Sequence, residues 1–221
     1  MTTNREAFDD IAASWYNVRH WPLLHAELVE LAGRWEGGRV INLGCGHGPD
    51  FLPMQGKFEL CGVDFSRQML LQGRKYAQRY HVDASTIQAD LVTLPFSNNT
   101  FDYAIAIASY HHIEGEAARQ QAFAELFRIL RPGAEVFLSV WNHLQPRFWF
   151  SQKDQQIPFH VGQKTLNRYY HMYDHRELSQ LVKRAGFTVN WMGGEKRYRG
   201  PIPWFSRNIC VLAEKPSSGR G

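Results

Sequence analysis

The sequence predicts an α/β protein of Rossmann-like architecture: a seven-stranded, mostly parallel sheet, helices on both faces, and a C-terminal antiparallel hairpin. Three observations carry this expectation. A short apolar run, Val40-Ile41-Asn42-Leu43, ends in glycines at alternate positions, Gly44, Gly46 and Gly48. A second apolar run, Leu60-Cys61-Gly62-Val63, ends in Asp64, twenty residues beyond Gly44. From there to Trp141, runs of strand length alternate with stretches of helical periodicity, the pattern of right-handed parallel crossovers.

With 221 residues, 44% hydrophobic and 14% aromatic, the chain is long enough for one domain, 1–221, around a sizeable core. No apolar run reaches the length of a membrane helix, and Met1-Thr2-Thr3-Asn4-Arg5 is not a signal peptide, so the expected location is cytoplasmic. Cys45, Cys61 and Cys210 are scattered and odd in number, which points away from a disulfide framework or a metal site. The net charge of +4 is uneven: residues 1–145 carry 12 Lys and Arg against 16 Asp and Glu, residues 146–221 carry 13 against 5, giving −4 and +8. A basic, aromatic-rich C-terminal third is either a solvated face or the side that meets a polyanion.

Taken in order, Phe8, Ile11, Ala12 and Trp15 predict a helix from about Arg5 to His20, and Pro22 breaks the pattern. A second helix, Leu23 to Trp35, sets Leu24, Leu28 and Leu31 on one face and stops at Gly37-Gly38. These helices, within residues 1–36, are expected to cover part of a ligand; Arg19 between them is a surface or a site arginine. The first strand is Arg39 to Leu43. Glycines after it let the backbone turn sharply and let a ligand approach main-chain N–H groups. Pro49, in the last position of the dinucleotide fingerprint, breaks that pattern and opens a short helix with Asp50. The second strand, Glu59 to Asp64, ends in an acid placed to accept hydrogen bonds from a ribose diol, so this is a nucleoside site. Ser66 caps a helix from Arg67 to Tyr80. The third strand, Ser85 to Ala89, leads to Asp90, either a turn aspartate or an acceptor for an adenine amino group. Pro95 to Thr100 is a loop.

The fourth strand, Phe101 to Ala108, is nearly all apolar, as a buried parallel strand should be, and ends in Ser109-Tyr110-His111-His112-Ile113. Ligands bind at the carboxyl ends of such strands. These histidines can orient a substrate, act as a base or pack in the turn, and at least one is expected to pack. A helix from Glu116 to Leu130 ends at Arg131-Pro132-Gly133, and the fifth strand runs from Ala134 to Trp141. Residues 142–171 break the alternation and are expected as a long substrate-facing loop. Asp174 caps a helix from Arg176 to Ala185, Phe187 to Met192 is a strand, Gly193 to Pro203 a connection, Phe205 to Glu214 the last strand, and 216–221 a flexible tail.

The Gly44-x-Gly46-x-Gly48 turn followed by Asp64 resembles the class I S-adenosylmethionine-dependent methyltransferases. Over almost the whole chain, a narrower resemblance is to the tRNA wobble-uridine carboxymethyl methyltransferases, which esterify 5-carboxymethyluridine in the anticodon. Phe8-Asp9-Asp10-Ile11-Ala12 through Val18-Arg19 is similar to that family's entry helix and its Thr-Arg step, Tyr110-His111-His112-Ile113 to its His-His step, and Gln152 to Phe159 to a lysine-rich Val-Pro-Trp segment. Arg168-Tyr169-Tyr170-His171-Met172-Tyr173 with Glu177-Leu178 is the most specific match, and Arg207-Asn208 resembles the step before the last strand. Asn42 stands where an aspartate is usual, Trp21 precedes a single Pro22, and Ser206 replaces an acid.

The resemblance implies S-adenosylmethionine as cofactor, held by Gly44, Cys45, Gly46, Gly48, Asp64, Phe65, Asp90, Leu91 and Ala108, with no metal. It implies substrate orientation by Arg19, His112, Arg168, Tyr170, Arg207 and Asn208. It also implies two partners, the tRNA anticodon loop and a small zinc-binding methyltransferase activator. Leu91, Leu94, Pro95 and Phe96 are either an exposed apolar edge for that activator or core. Lys153, Lys183, Arg184, Lys196, Arg197 and Arg199 are candidates for RNA phosphates.

The chemistry suits a carboxylate acceptor. It is ionised at pH 7 and needs no general base, only alignment, which contributes on the order of 7–11 kcal/mol. Arginine's planar fork matches both carboxylate and phosphate. One of Tyr169 and Tyr170 is expected in the core. Two other readings stand: a small-molecule methyltransferase acting on a quinone or carboxylic acid metabolite, which the same fold serves, and a non-catalytic cofactor-binding subunit, against which the intact Gly44, Gly46, Gly48 and Asp64 set argues.

Overall fold

The computed structural model describes residues 3–217. The tail expected over 216–221 therefore lies mostly outside the described residues. In chain order the elements are α1 (Asn4–Val18), α2 (His25–Arg34), β1 (Gly38–Leu43), a 3-10 segment (Pro49–Met54), β2 (Phe58–Asp64), α3 (Arg67–Tyr80), β3 (Ala84–Gln88) and β4 (Phe101–Ile107). There follow a 3-10 turn (Tyr110–His112), α4 (Glu116–Ile129), β5 (Leu130–Trp141), β6 (Asp154–Val161), β7 (Lys164–His171), α5 (His175–Arg184), β8 (Thr188–Gly194) and β9 (Asn208–Glu214). Seven strands form one sheet in the order β3-β2-β1-β4-β5-β9-β8. β1 to β5 pair in parallel, and β9 runs antiparallel to both β5 and β8. The order reverses beside β1, which opens a crevice at the carboxyl ends of β1 and β4.

Strand alternation divides the core into two layers. Ile41 and Leu43 of β1, Ala104 and Ala106 of β4, and Val136, Leu138 and Val140 of β5 face Phe123, Leu126 and Ile129 of α4 and Leu178, Leu181 and Val182 of α5. Val40, Ile105, Ile107 and Phe137 point the other way, toward Leu28 and Leu31 of α2 and Tyr76 of α3. Both faces of the central strands are buried, which is why they read as continuous apolar runs.

One expectation is corrected, and one open alternative is decided toward the core. Residues 142–171 are not a plain loop: β6 and β7 form an antiparallel hairpin of their own, outside the main sheet. Val161 pairs with Lys164 across a turn of Gly162 and Gln163, with Gly162 at φ +57. A two-residue turn with glycine first is a hairpin signal, and Ile157, Phe159 and Val161 supply the period-2 pattern that Pro158 disguises. The run from Leu91 to Phe96 is not an exposed edge. Leu94 is buried and its N–H donates to Glu125 Oε2 at 2.7 Å, while Phe96 packs edge-on against Phe101, leaving Pro95 exposed. The fifth strand also starts earlier than expected, at Leu130, with Gly133 donating its N–H to Lys215 O at 2.7 Å.

Candidate active site

A cleft of about 780 Å³ lies over the carboxyl ends of β1, β2 and β4, roofed by α1 and walled on one side by the β6–β7 hairpin. Gly44, at φ +75, turns the chain out of β1, and a Cβ there would stand 2.3 Å from Ser109 Cβ. The glycine is therefore demanded by the close approach of the β4 terminus, where Ser109 Oγ donates to Leu43 O at 2.7 Å. Gly46 has open space where a Cβ would be and donates its N–H to Asp64 Oδ2 at 2.8 Å. Asp64 Oδ1 accepts from Ser66 N–H at 2.9 Å. A carboxylate offers about four acceptor positions, so two remain for a ribose diol. Burial pushes the Asp64 pKa up to about 6, against the pull of those two N–H groups.

Cys45, Phe65, Asp90, Leu91 and Ala108 also line the cleft. Asp90 lines the cleft, and its Oδ1 accepts from Val92 N–H at 3.2 Å, the bond of a turn aspartate. Ala108 sits at φ +55, a conformation that side chains rarely adopt, and its N–H is held by Ser139 O at 3.0 Å and Ser139 Oγ at 3.1 Å. Gly48 lies behind the cleft, opening the 3-10 segment. The glycines and Asp64 fit a nucleoside cofactor.

α1 is pinned over this site at both ends. Asn4 donates to His112 O and Tyr169 O and accepts from Tyr169 N–H at 3.1 Å. Asp9 Oδ1 accepts from Ser66 Oγ at 2.6 Å and Gln68 N–H at 3.0 Å. At the far end Arg19 donates from Nη2 to both oxygens of the buried Asp50, at 3.1 and 3.3 Å, and Arg19 O meets His47 Nε2 at 2.6 Å. Arg19 lines the cleft, but one side of its guanidinium is committed to holding the helix against the glycine turn.

The histidine pair divides as expected. His111 is buried, stacks on Tyr170 at 4.8 Å, and its Nδ1 accepts from Trp141 N–H at 3.2 Å. His112 Nδ1 donates to Tyr169 O at 3.0 Å. Partners of these kinds place the proton of His111 on Nε2 and that of His112 on Nδ1. Burial pushes His111 far below its ordinary value and His112 down to about 3, so both are neutral at pH 7.

Arg168 is the outlier. It is 5% exposed, its Nε has no hydrogen-bond partner, and among the described residues no carboxylate pairs with it. Its Cζ lies 5.0 to 6.0 Å from the rings of Phe159, Tyr170, Trp15 and Phe8. Burial pulls its pKa down, and the only opposing group is Tyr170. Tyr170 itself is buried among Arg168, Arg207, Arg147 and Arg19, all of which favour its ionised form, while burial raises its pKa. Arg207 lines the same end and sits 5.0 Å from the Trp141 ring; Arg147 sits at the same distance from that ring.

Asn208 is not part of this cluster. It is fully buried in β9, where Nδ2 donates to Glu195 Oε2 at 2.6 Å and its carbonyl accepts from Ser206 Oγ at 2.7 Å. Its neighbour Arg207, in the bend just before β9, lines the cleft. Of the basic residues expected on RNA, Lys153 is tied to Asp174 and Glu177, Lys196 to Glu30 and Arg197 to Glu195, leaving Lys183, Arg184 and Arg199 exposed. Sequence reasoning missed Trp15, Trp141, Phe159 and Asp50. The aromatic ring around Arg168 is assembled from α1 and the hairpin, and no local pattern signals it. Among the described residues no three His, Cys, Asp or Glu side chains group to hold a metal ion, and no helix is long and apolar enough to cross a membrane.

Residues 40–133 match the family described as a methyltransferase domain. A tRNA (carboxymethyluridine(34)-5-O)-methyltransferase of Schizosaccharomyces pombe is 25% identical over 237 residues, covering 95% of each protein. One of Arabidopsis thaliana is 32% identical over 136 residues, 61% of this chain but 31% of that relative. Among solved structures, the methyltransferase in complex with the Haloferax volcanii Trm112 activator superposes with a TM-score of 0.71 at 19% identity, over 99% of this chain and 100% of that one.

Proposed function

The chain carries an S-adenosylmethionine-dependent methyltransferase domain, and we propose that it esterifies the carboxylate of 5-carboxymethyluridine at the wobble position of tRNA, in the cytoplasm. The observation that carries this reading is Arg168, a buried guanidinium without a counter-charge in the cleft wall. Leaving a charge buried and unpaired costs several kcal/mol, and an anionic ligand group is what offsets it. The S. pombe and A. thaliana relatives support a carboxymethyluridine as the bearer of that anion.

When bound at Asp64 and the glycine turn, S-adenosylmethionine supplies an electrophilic methyl group. The residues of the chain do the rest. Arg168 presents its fork to the carboxylate, with Arg207 and the Tyr170 hydroxyl beside it, so that one oxygen is free to attack. A carboxylate is already ionised, so no base is required, and the neutral His111 and His112 contribute orientation. Their Nε2 atoms offer one donor and one acceptor. α1, with Phe8 and Trp15, covers the site and excludes water. The second part of the proposal is an activator protein as partner, supported by the fold shared with the Haloferax methyltransferase.

Nucleoside mass spectrometry tests this after incubation of the chain, with and without an activator, with S-adenosylmethionine and tRNA bearing carboxymethyluridine. The expected product is the methyl ester, with no product on tRNA bearing unmodified uridine. Methylation of a small carboxylic acid in place of tRNA would move the assignment to a small-molecule enzyme.

A further inference from the structure

Outside the cleft stands a group of aromatic side chains that no packing in the chain requires. Phe150 is 101% exposed, Trp204 57% and Trp149 51%. They belong to two loops, 142–150 and 202–207, that are laced together: Asn142 Nδ2 donates to Trp204 O at 2.7 Å and Ser206 O at 2.9 Å, and Gln145 Nε2 donates to Arg207 O at 3.1 Å. Two of these three rings are held in place. Trp149 Nε1 donates to Leu144 O at 2.8 Å and its ring lies 5.6 Å from Phe205; Trp204 lies 4.0 Å from the His175 ring. The group is continuous with the cleft through Trp141, which lines it and carries Arg147 and Arg207, each 5.0 Å from its ring. Neither arginine has an ion-pair partner among the described residues, and two like charges share one ring.

We propose that Trp149, Phe150 and Trp204, flanked by Arg147 and Arg207, form a stacking platform for the unpaired nucleotides on either side of the base that enters the cleft. This rests on the RNA reading above. Exposed aromatic faces, two of them held in place, beside unpaired guanidinium groups match the two things a single-stranded RNA offers at regular spacing, base faces and phosphates. An acidic peptide would satisfy the arginines but has no use for three aromatic faces.

The test is fluorescence anisotropy with two probes: an unmodified RNA hairpin with a single-stranded loop, and a fully paired RNA of the same length. The full chain is compared with W149A/F150A, W204A, W204F and R147A, each checked for an unchanged melting temperature. Hairpin affinity should fall about 5-fold to 100-fold in W149A/F150A and W204A and be largely retained in W204F. Affinity for the paired RNA should not change. R147A should reduce the slope of log affinity against log salt by about 0.7. Hairpin binding that is the same in W149A/F150A and W204A as in the wild-type chain overturns the platform and leaves the RNA reading intact. Loss on both probes alike also overturns it, because stacking distinguishes unpaired bases. A wild-type chain that binds neither probe overturns the platform and the RNA reading together.

Discussion

At the glycine end of the cleft the buried carboxylate is met by groups of the chain; at the hairpin end the buried guanidinium of Arg168 is met by no carboxylate among the described residues. Asp64 is met by Gly46 and Ser66, Ser109 by Leu43, and Ala108 by Ser139. Arg168 is as buried as Asp64, yet it is surrounded by rings. The first end offers a hydrogen-bonded frame whose spare acceptors fit a nucleoside. The second is built with a deficit that a ligand removes. Pre-organisation of the frame favours affinity, whereas an unmet charge selects for the sign of the ligand.

Replacing the unmet charge should have the largest effect. Arg168→Met is expected to lower kcat/KM about 100-fold to 1,000-fold, the cost of leaving a buried carboxylate without its partner. The same substitution removes an unpaired buried charge from the empty enzyme, so its melting temperature should stay level or rise. Arg168→Lys should not restore turnover, because a point charge lacks the fork. A large fall in melting temperature would make Arg168 a structural residue and erase the contrast between the two ends.

On the frame side, Asp64→Ala should weaken S-adenosylmethionine binding about 10-fold to 100-fold by calorimetry, with hydrogen bonds to a charged acceptor lost. The pH dependence sharpens this. The folded value near 6 lies above the ordinary 3.8, so Asp64 favours folding at low pH and that contribution is lost as pH rises through about 6. Cofactor binding has the opposite sign, since the diol needs the ionised form. Affinity should therefore decline as pH falls below about 6 in the wild type and stay flat in Asp64→Asn. A flat wild-type profile would remove Asp64 from the site.

The smallest effect on turnover should come from Asn208→Ala. It leaves the buried Glu195 without its amide, so stability should fall by about 1–3 kcal/mol in urea titration while kcat is unchanged. Lost turnover at intact stability would return Asn208 to the acceptor end.

The two ends also differed in how far the sequence announced them. The frame was legible because its signals are local: glycines after an apolar run, and an acid at the end of the next strand. Its residues line the cleft except Gly48, which serves the 3-10 segment behind it. The acceptor end was legible in its charged residues, since Arg168, Tyr170, Arg207 and His112 do converge. Its setting was not. Pro158 hid the alternation of β6, and the ring of Phe8, Trp15 and Phe159 around Arg168 forms only when α1 crosses the hairpin. Asn208 adjoins Arg207 in sequence, yet it is buried in β9, while Arg207, in the bend before that strand, lines the cleft.

The central claim is that the hairpin end is a receptor for an anion, and one binding cycle tests it most directly. Calorimetry would compare an anticodon hairpin carrying carboxymethyluridine with the same hairpin carrying uridine, on the wild-type chain and on Arg168→Met. The account predicts that the wild type prefers the carboxylate hairpin by at least about 10-fold and that the preference disappears in Arg168→Met, with both proteins binding the uridine hairpin equally. Equal affinity of the wild type for the two hairpins, or a preference that survives the loss of Arg168, would contradict it.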